Sequence, residues 1–566
     1  MPPSLRERIA PWLEGGTLAI LVMVIVSLGG DAVRTSYHGY LHAGIGEAVL
    51  RDGLMPENPY HAGIALHYYT LYPTLGVLLG KLGGGPLWGF AILNIFAAML
   101  MGPALDAYGK RLGLSFSARR FAFLSMVLGF NGLAAWWVAS DVPMVEGASP
   151  LIVLLDLTQP MASFSWDGRL QSFLPKFLNV SSFALSLPFA FFALADSFGQ
   201  SKRELLRMGV LLGVTMALNP LVGGFVAILI AAAKLPLLLS GVEGIKQLLP
   251  AVLVALLLAV PFLLPLFTPS PEGEASMAGA FPFVGSGAWA NLLGPLHWLL
   301  PLGLVGVFRI AKEQRTPLLL ALGLAALFSF LSLPWNNEYK FPRMAGILLA
   351  LPAGAFLACM WKTLPGKFLS PLLLALCIPT FWSTYQAYSQ WDLGGTNMLD
   401  HVEDGRLALR PEALISTWPA QLAAAEKDLP DDTVLVFHPW HPGIRGGSLG
   451  AQGNPLVPTL HHSLFVDSPQ IHNATLPDLR ARLDESFALW QARRWVKQQS
   501  AESDYFDPSA ALLAMRNRIP ERHLAVVTLK DHPAVALLSA AGASLVVEEN
   551  GLALWLLPPL EAKAGN

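Results

Sequence analysis

The chain has 566 residues, 54% of them hydrophobic and only 13% charged, whereas a soluble globular protein carries about a quarter charged residues. The formal net charge is −2, so there is no basic excess of the kind that binds nucleic acid. The two cysteines, Cys359 and Cys377, both lie in apolar runs. They form no CxxC motif and read as small core residues.

The charge deficit is confined to the part before residue 391. Uncharged runs occupy 15–30, 86–105, 121–140, 177–195, 208–233, 247–268, 288–308, 316–334, 344–361 and 368–388. About 20 apolar residues in a helix cross a bilayer core. Arg6 and Arg8 precede the first run, which reads as an uncleaved span with a cytoplasmic N-terminus. Short cytoplasmic loops are enriched in Lys and Arg. The basic clusters are Lys110/Arg111/Arg119/Arg120, Lys202/Arg203/Arg207, Lys234/Lys246, Arg309/Lys312/Arg315 and Lys362/Lys367. All face the cytoplasm together on two conditions. Segment 62–80, with His67, three tyrosines and Pro73, must be interfacial or re-entrant. Run 208–233 must break at Asn219-Pro220 into two short helices. The fold class expected is then a polytopic α-helical membrane protein of about eleven membrane helices, two of them short. The membrane module is 1–390, with outer loops 31–85, 141–176 and 269–287. Residues 391–566 form an extracytoplasmic domain.

Polar side chains gather on the outer face. Asp31 closes the first apolar run and is either functional or simply the end of the span. His38 and His42 stand at i, i+4 on an expected amphipathic helix. They are candidate substrate contacts or metal ligands, or else the wet face of an interfacial helix. Asp141 opens the second outer loop, and Arg169 and Lys176 lie near its end. Lys340 and Arg343 stand where basic residues are otherwise avoided. They read as headgroup contacts or as a phosphate clamp, with Arg forking onto phosphate oxygens and Lys supplying a point charge. Acids that take a proton from a hydroxyl, beside cations that neutralise a leaving phosphate, suit a reaction on a phosphate-linked lipid.

In the order of these features the chain resembles the GT-C class of membrane glycosyltransferases, of the protein O-mannosyltransferase and lipid A aminoarabinose transferase type. The residues that carry the likeness are Asp31 after the first span, Gly53-Leu54-Met55-Pro56-Glu57-Asn58-Pro59-Tyr60 and Tyr68-Tyr69-Thr70-Leu71-Tyr72-Pro73. Ser140-Asp141-Val142-Pro143-Met144 follows the third span. The chain departs from the class in lacking an Asp-Glu or Asp-Asp pair at Asp31 and a His-Pro-Pro-Leu element. The resemblance implies catalytic roles for Asp31 and Asp141 and a substrate contact at Tyr60. It implies a polyprenyl-phosphate-linked sugar donor, a hexosyl or pentosyl transfer outside the cytoplasm, and a glycan, lipid or protein acceptor. Some members of the class use a divalent cation, magnesium or manganese, and the two histidines leave that open. A bacterial cytoplasmic membrane is the expected location.

The C-terminal part reads as soluble α/β, with strands at 433–437, 524–528, 545–548 and 553–557 and a helix within 476–499. Its HPWHPGIRGGSLG segment, residues 438–450, is a ligand loop or an ordinary surface loop. Two other functions fit the pattern. One is a transporter or flippase for a lipid-linked molecule, favoured by the broken helix. The other is a non-catalytic partner whose outer domain binds glycan.

Overall fold

The computed structural model describes residues 4–30, 38–136, 173–267, 287–331, 340–389, 419–437, 456–466, 479–490 and 507–560. Asp31, Asp141, Arg169 and the 438–450 segment lie outside them. The chain forms two compact units, one of residues 1–34, 90–263 and 279–391, the other of 35–89, 264–278 and 392–566.

The first unit is helical, and the protein is an integral membrane protein. Among the described residues five helices are long and apolar enough to cross a bilayer: Leu5–Leu28, Pro86–Arg111, Val242–Phe267, Lys340–Met360 and Leu364–Trp382. Ser182–Ser197, Pro220–Ala233 and Gln314–Ser329 are shorter apolar helices. The expected break at Asn219-Pro220 is present. Asn219 ends the Lys202–Leu218 helix in extended backbone and caps the Pro220–Ala233 helix by accepting from Val222 N. Proline fits at that first position because its missing N–H has no helical acceptor there anyway.

Three runs expected to be unbroken helices are interrupted instead. In run 121–140 the Phe116–Gly129 helix ends, Asn131 takes φ 53°, and helix resumes at Ala134, with residues 137–140 outside the described residues. Run 288–308 divides into Gly287–Leu296 and Leu299–Val307, with His297 at φ 35° between them. Run 368–388 divides between the Leu364–Ala375 and Ile378–Ser389 helices. The breaks satisfy one another. Asn131 N donates to Pro295 O at 2.8 Å. Thr380 Oγ1 donates to Gly132 O at 2.8 Å and accepts from Ala135 N at 2.9 Å. Trp136 Nε1 donates to Leu376 O at 2.7 Å, and Trp298 Nε1 to Cys377 Sγ at 3.3 Å. Non-helical backbone among apolar helices is tolerated only when protein groups satisfy it in this way. Hydropathy does not register such breaks, because a single polar residue such as Asn131 or His297 is averaged out by the apolar residues on either side.

The basic clusters are brought together by ion pairs. Buried Asp106 meets Arg119 Nε and Lys110 Nζ, each at 2.7 Å, and also Arg120, which reaches Glu14 at 2.6 Å. Arg111 pairs with Glu204, Arg207 with Asp196, and Lys234 donates to Gly199 O. The N-terminal helix and three of the five clusters therefore meet at one end of this unit.

The Lys340–Met360 helix is the most enclosed of the five long ones. It packs on Phe116–Gly129, Leu299–Val307 and Lys312–Ser329. At Gly354 its backbone touches that of Ala118 and Ala122, where any Cβ would collide, as small residues at membrane helix contacts allow.

The second unit is a five-stranded sheet of order β2-β1-β3-β5-β4. The strands are β1 (Val434–Phe437), β2 (Ser463–Leu464), β3 (Leu524–Leu529), β4 (Ser544–Glu549) and β5 (Leu552–Leu557). The first three are parallel, and β5 is antiparallel to β3 and β4. The β4–β5 turn takes Asn550 at φ 54° and Gly551 at φ 78°, the conformation for which Asn-Gly is favoured.

Both faces of the sheet are covered, and one is covered from the start of the chain. Leu41, Ile45, Val49, Tyr60 and Leu66 join Leu435, Phe437, Ala525, Val527 and Leu554 in one core. The 62–80 segment contains only an 11-residue helix, Leu71–Lys81, which packs on Gly39–Asp52 and is too short to span. Burying a large apolar side chain contributes about 1.5–3 kcal/mol, so those five contribute roughly 10 kcal/mol, about the whole stability of an ordinary domain. Residues 392–566 expressed alone are therefore expected to lack cooperative unfolding by circular dichroism and to be digested rapidly by protease. Fusing 35–89 to that fragment should restore both properties. A stable, cooperative 392–566 fragment would contradict this.

Candidate functional site

Lys176 is far in sequence from Lys340 and Arg343, and the first unit brings the three together. Lys176 sits in the single turn Pro175–Leu178, which begins with proline. Asn179 N closes that turn on Pro175 O, and Asn94 Nδ2 pins it by donating to Asn179 O at 2.9 Å. Next to it, Asn219 Nδ2 donates to Ser182 Oγ at 3.0 Å, tying the helix break to the start of Ser182–Ser197. Lys340 and Arg343 occupy the first turn of the Lys340–Met360 helix, and Arg343 is fully buried. The Lys176 ammonium is held well below the ordinary lysine range, first by burial and then by the charges of Arg343 and Lys340. Each of these positive charges raises the electrostatic potential at the others, a field that attracts an anion. The helix N-terminus beside them adds partial positive charge.

A small apolar pocket of about 20 Å³ lies beside the same helix. Met344, Ile347 and Leu348 line it together with Leu187, Phe191, Phe225 and other residues of the Ser182–Ser197 and Pro220–Ala233 helices. Lys340 and Met344, and Arg343 and Ile347, are four apart and so share a helix face. The cations thus stand one helical turn before the residues that line the pocket.

The cations are also far from the ion-paired end of the unit. The helix has 21 residues, about 30 Å at 1.5 Å per residue. Its far end adjoins Phe121, whose ring lies 5.7 Å from that of Trp361. Phe121 follows Arg120 of the ion-pair cluster. The separation is about the thickness of a bilayer hydrocarbon core.

His38, His42 and Tyr60 belong to the second unit. His42 is buried, with its ring 6.0 Å from His38, 5.6 Å from Tyr68 and 5.1 Å from Tyr72. Tyr68 stacks on Tyr69 at 4.3 Å. Tyr60 lies in the sheet core and donates its hydroxyl to Tyr40 O at 2.7 Å. Gly44 makes room for that hydroxyl. Among the described residues, no group of three or more His, Cys, Asp or Glu side chains could hold a metal ion. Sequence reasoning missed the pocket, because its residues are ordinary apolar ones until the fold aligns them. It also missed Asp106, whose one available signal was an acid closing a 20-residue uncharged run.

No family model and no curated protein matches the chain. Among solved structures, it is similar over 96% of its length to ArnT from Cupriavidus metallidurans, 98% of which it covers. In the apo state of ArnT the identity is 12% and the TM-score 0.47, and in the form bound to undecaprenyl phosphate they are 13% and 0.49. It is also similar to arabinofuranosyltransferase AftD from Mycobacteria, at 14% identity and a TM-score of 0.52, over 96% of this chain and 40% of that one.

Proposed function

We propose, from the GT-C fold that the chain shares with AftD, that it is a membrane glycosyltransferase using a polyprenyl-phosphate-linked sugar. The observation that supports this reading is the convergence of Lys176, Lys340 and Arg343 at one end of a membrane helix, a turn before a small apolar pocket. In the reaction an acceptor hydroxyl attacks the anomeric carbon. Asp31 takes the hydroxyl proton, with Asp141 as the second acid, while the bond from the anomeric carbon to the phosphate oxygen breaks. Polyprenyl phosphate leaves with the electron pair of that bond. Its charge grows during the step, so the three cations, aided by Arg169, stabilise the transition state more than the ground state.

Positive-inside bias supports a reading with the ion-paired end in the cytoplasm and the cations on the outer face, and the membrane in this reading is a bacterial cytoplasmic membrane. A transporter fits less well despite its broken helix, because the cations lie at the end of a span and transporters bind near the midplane. A divalent cation, magnesium or manganese, would need ligands outside the described residues. The transferred group is a hexose or a pentose, and the acceptor is a glycan, lipid or protein. Purified protein incubated with labelled polyprenyl-phosphate hexoses and pentoses should release lipid phosphate when an envelope extract supplies the acceptor. Transport of the donor across vesicles with no such release would overturn the reading.

A further inference from the structure

The second unit contains a polar cleft. It has a volume of about 460 Å³ and is lined by Arg51, Asp52, Met55, Glu57, Asp431, Thr433, His461, His462, Ser463 and Arg522 among others. That volume lies within the range of about 300–1,000 Å³ typical of small-molecule sites. The cleft opens where all three parallel strands begin. Thr433 immediately precedes β1, Ser463 opens β2, and Arg522 lies just before β3. The chain that follows the Gly39–Asp52 helix forms the opposite wall.

The walls are held in place before any ligand arrives. Arg51 grips Asp52 through two bonds of 2.8 Å and reaches Leu460 O. Arg522 pairs with Glu57 and donates to Asp432 O at 2.8 Å. Buried Glu426 accepts from His461 N and His462 N and meets His462 Nδ1 at 2.8 Å, while His462 Nε2 faces Pro430 O at 3.0 Å. In the floor, Thr433 is fully buried, and its hydroxyl has no hydrogen-bond partner among the described residues. A buried hydroxyl left without a partner is costly, and a ligand hydroxyl reaching the floor would satisfy it.

The chemistry selects the ligand. Both guanidinium groups are neutralised by carboxylates, so the cleft has no positive excess for phosphate. Its carboxylates are tied to arginines or, at Asp431, stand apart, and no metal-binding group of side chains occurs among the described residues. What the walls offer is a dense mixture of donors and acceptors beside the apolar side chain of Met55, which suits a neutral polyhydroxylated ring with one C–H face. We propose that this cleft is a saccharide-binding site, separate from the site of transfer.

The site does not rest on the donor reading, and its test is binding alone. Full-length protein in detergent is titrated by calorimetry with disaccharides of glucose, galactose, mannose and arabinose. At least one should bind. Thr433→Val and Asp431→Asn should each weaken that binding roughly three- to tenfold, the effect of one lost hydrogen bond, with thermal unfolding unchanged for at least the exposed Asp431 variant. Arg343→Ala, which disables the cation cluster, should leave saccharide affinity as it was. Absence of binding by every disaccharide overturns the proposal, as does affinity unchanged in both cleft variants. Loss of saccharide binding in Arg343→Ala would also overturn it, by moving the sugar to the transfer site. Inorganic phosphate that binds wild type but not Thr433→Val would assign the cleft to an anion instead.

Discussion

Arg343→Ala is expected to lower turnover by about 10²–10³ and to weaken donor binding, because one charge-stabilising donor contributes on that order to a transition state that gains negative charge. Arg343 is fully buried in the first turn of its helix, four residues before Ile347 of the small apolar pocket. It shares its surroundings with Lys176 and Lys340. Arg343→Lys keeps the charge but loses the planar fork that matches two phosphate oxygens, so it should retain intermediate activity with a smaller effect on donor affinity. A lipid headgroup contact would behave differently, since any basic side chain would serve. Steady-state kinetics with a labelled polyprenyl-phosphate sugar, on variants whose gel-filtration profile matches wild type, separate the two readings. If Arg343→Ala matches wild type in both constants, the phosphate is held elsewhere, and Arg169 becomes the next residue to replace.

Asp31→Asn should reduce turnover by about 10²–10⁴, the usual contribution of a positioned general base, with donor affinity nearly unchanged. The substitution keeps the size of the side chain and removes its capacity to take a proton. Asp31 follows Gly30, just past the C-cap of the Leu5–Leu28 helix, and lies outside the described residues. The pattern to look for is a fall in kcat with a steady KM, together with retained binding of donor in a direct assay. Wild-type turnover by the variant would remove Asp31 from the chemistry and shift the role to Asp141.

The sequence made the membrane class legible because burying charge in hydrocarbon is costly and the charges cluster accordingly. The break at Asn219-Pro220 was readable because proline carries its own geometric signal. The strands at 434–437, 524–529, 544–549 and 552–557 were readable to within a residue or so from their apolar, β-branched runs. The two-residue β2 was not, since Ser463–Leu464 has no pattern of its own and is a strand only because β1 lies beside it. The breaks at Asn131, His297 and Cys377 were hidden for a related reason, because each is stabilised by groups from the other two. The cationic residues were legible one by one, from charge on the unexpected side. Their convergence was not, because Lys176 reaches Arg343 only through the packing of helices between them.

The core that joins Leu41, Ile45 and Val49 to Leu435, Val527 and Leu554 sets an order of assembly during synthesis. The Gly39–Asp52 helix leaves the ribosome early, while its partner strands follow after nearly all the membrane helices. At about 5–20 residues per second, that apolar face waits roughly half a minute or longer for the sheet that covers it. An amphipathic helix with nothing to pack against settles at a lipid–water interface. The membrane surface can therefore shelter this helix until the last hairpin forms, and mutations that slow the β4–β5 turn at Asn550-Gly551 would prolong the period in which the nascent protein is open to quality-control proteases.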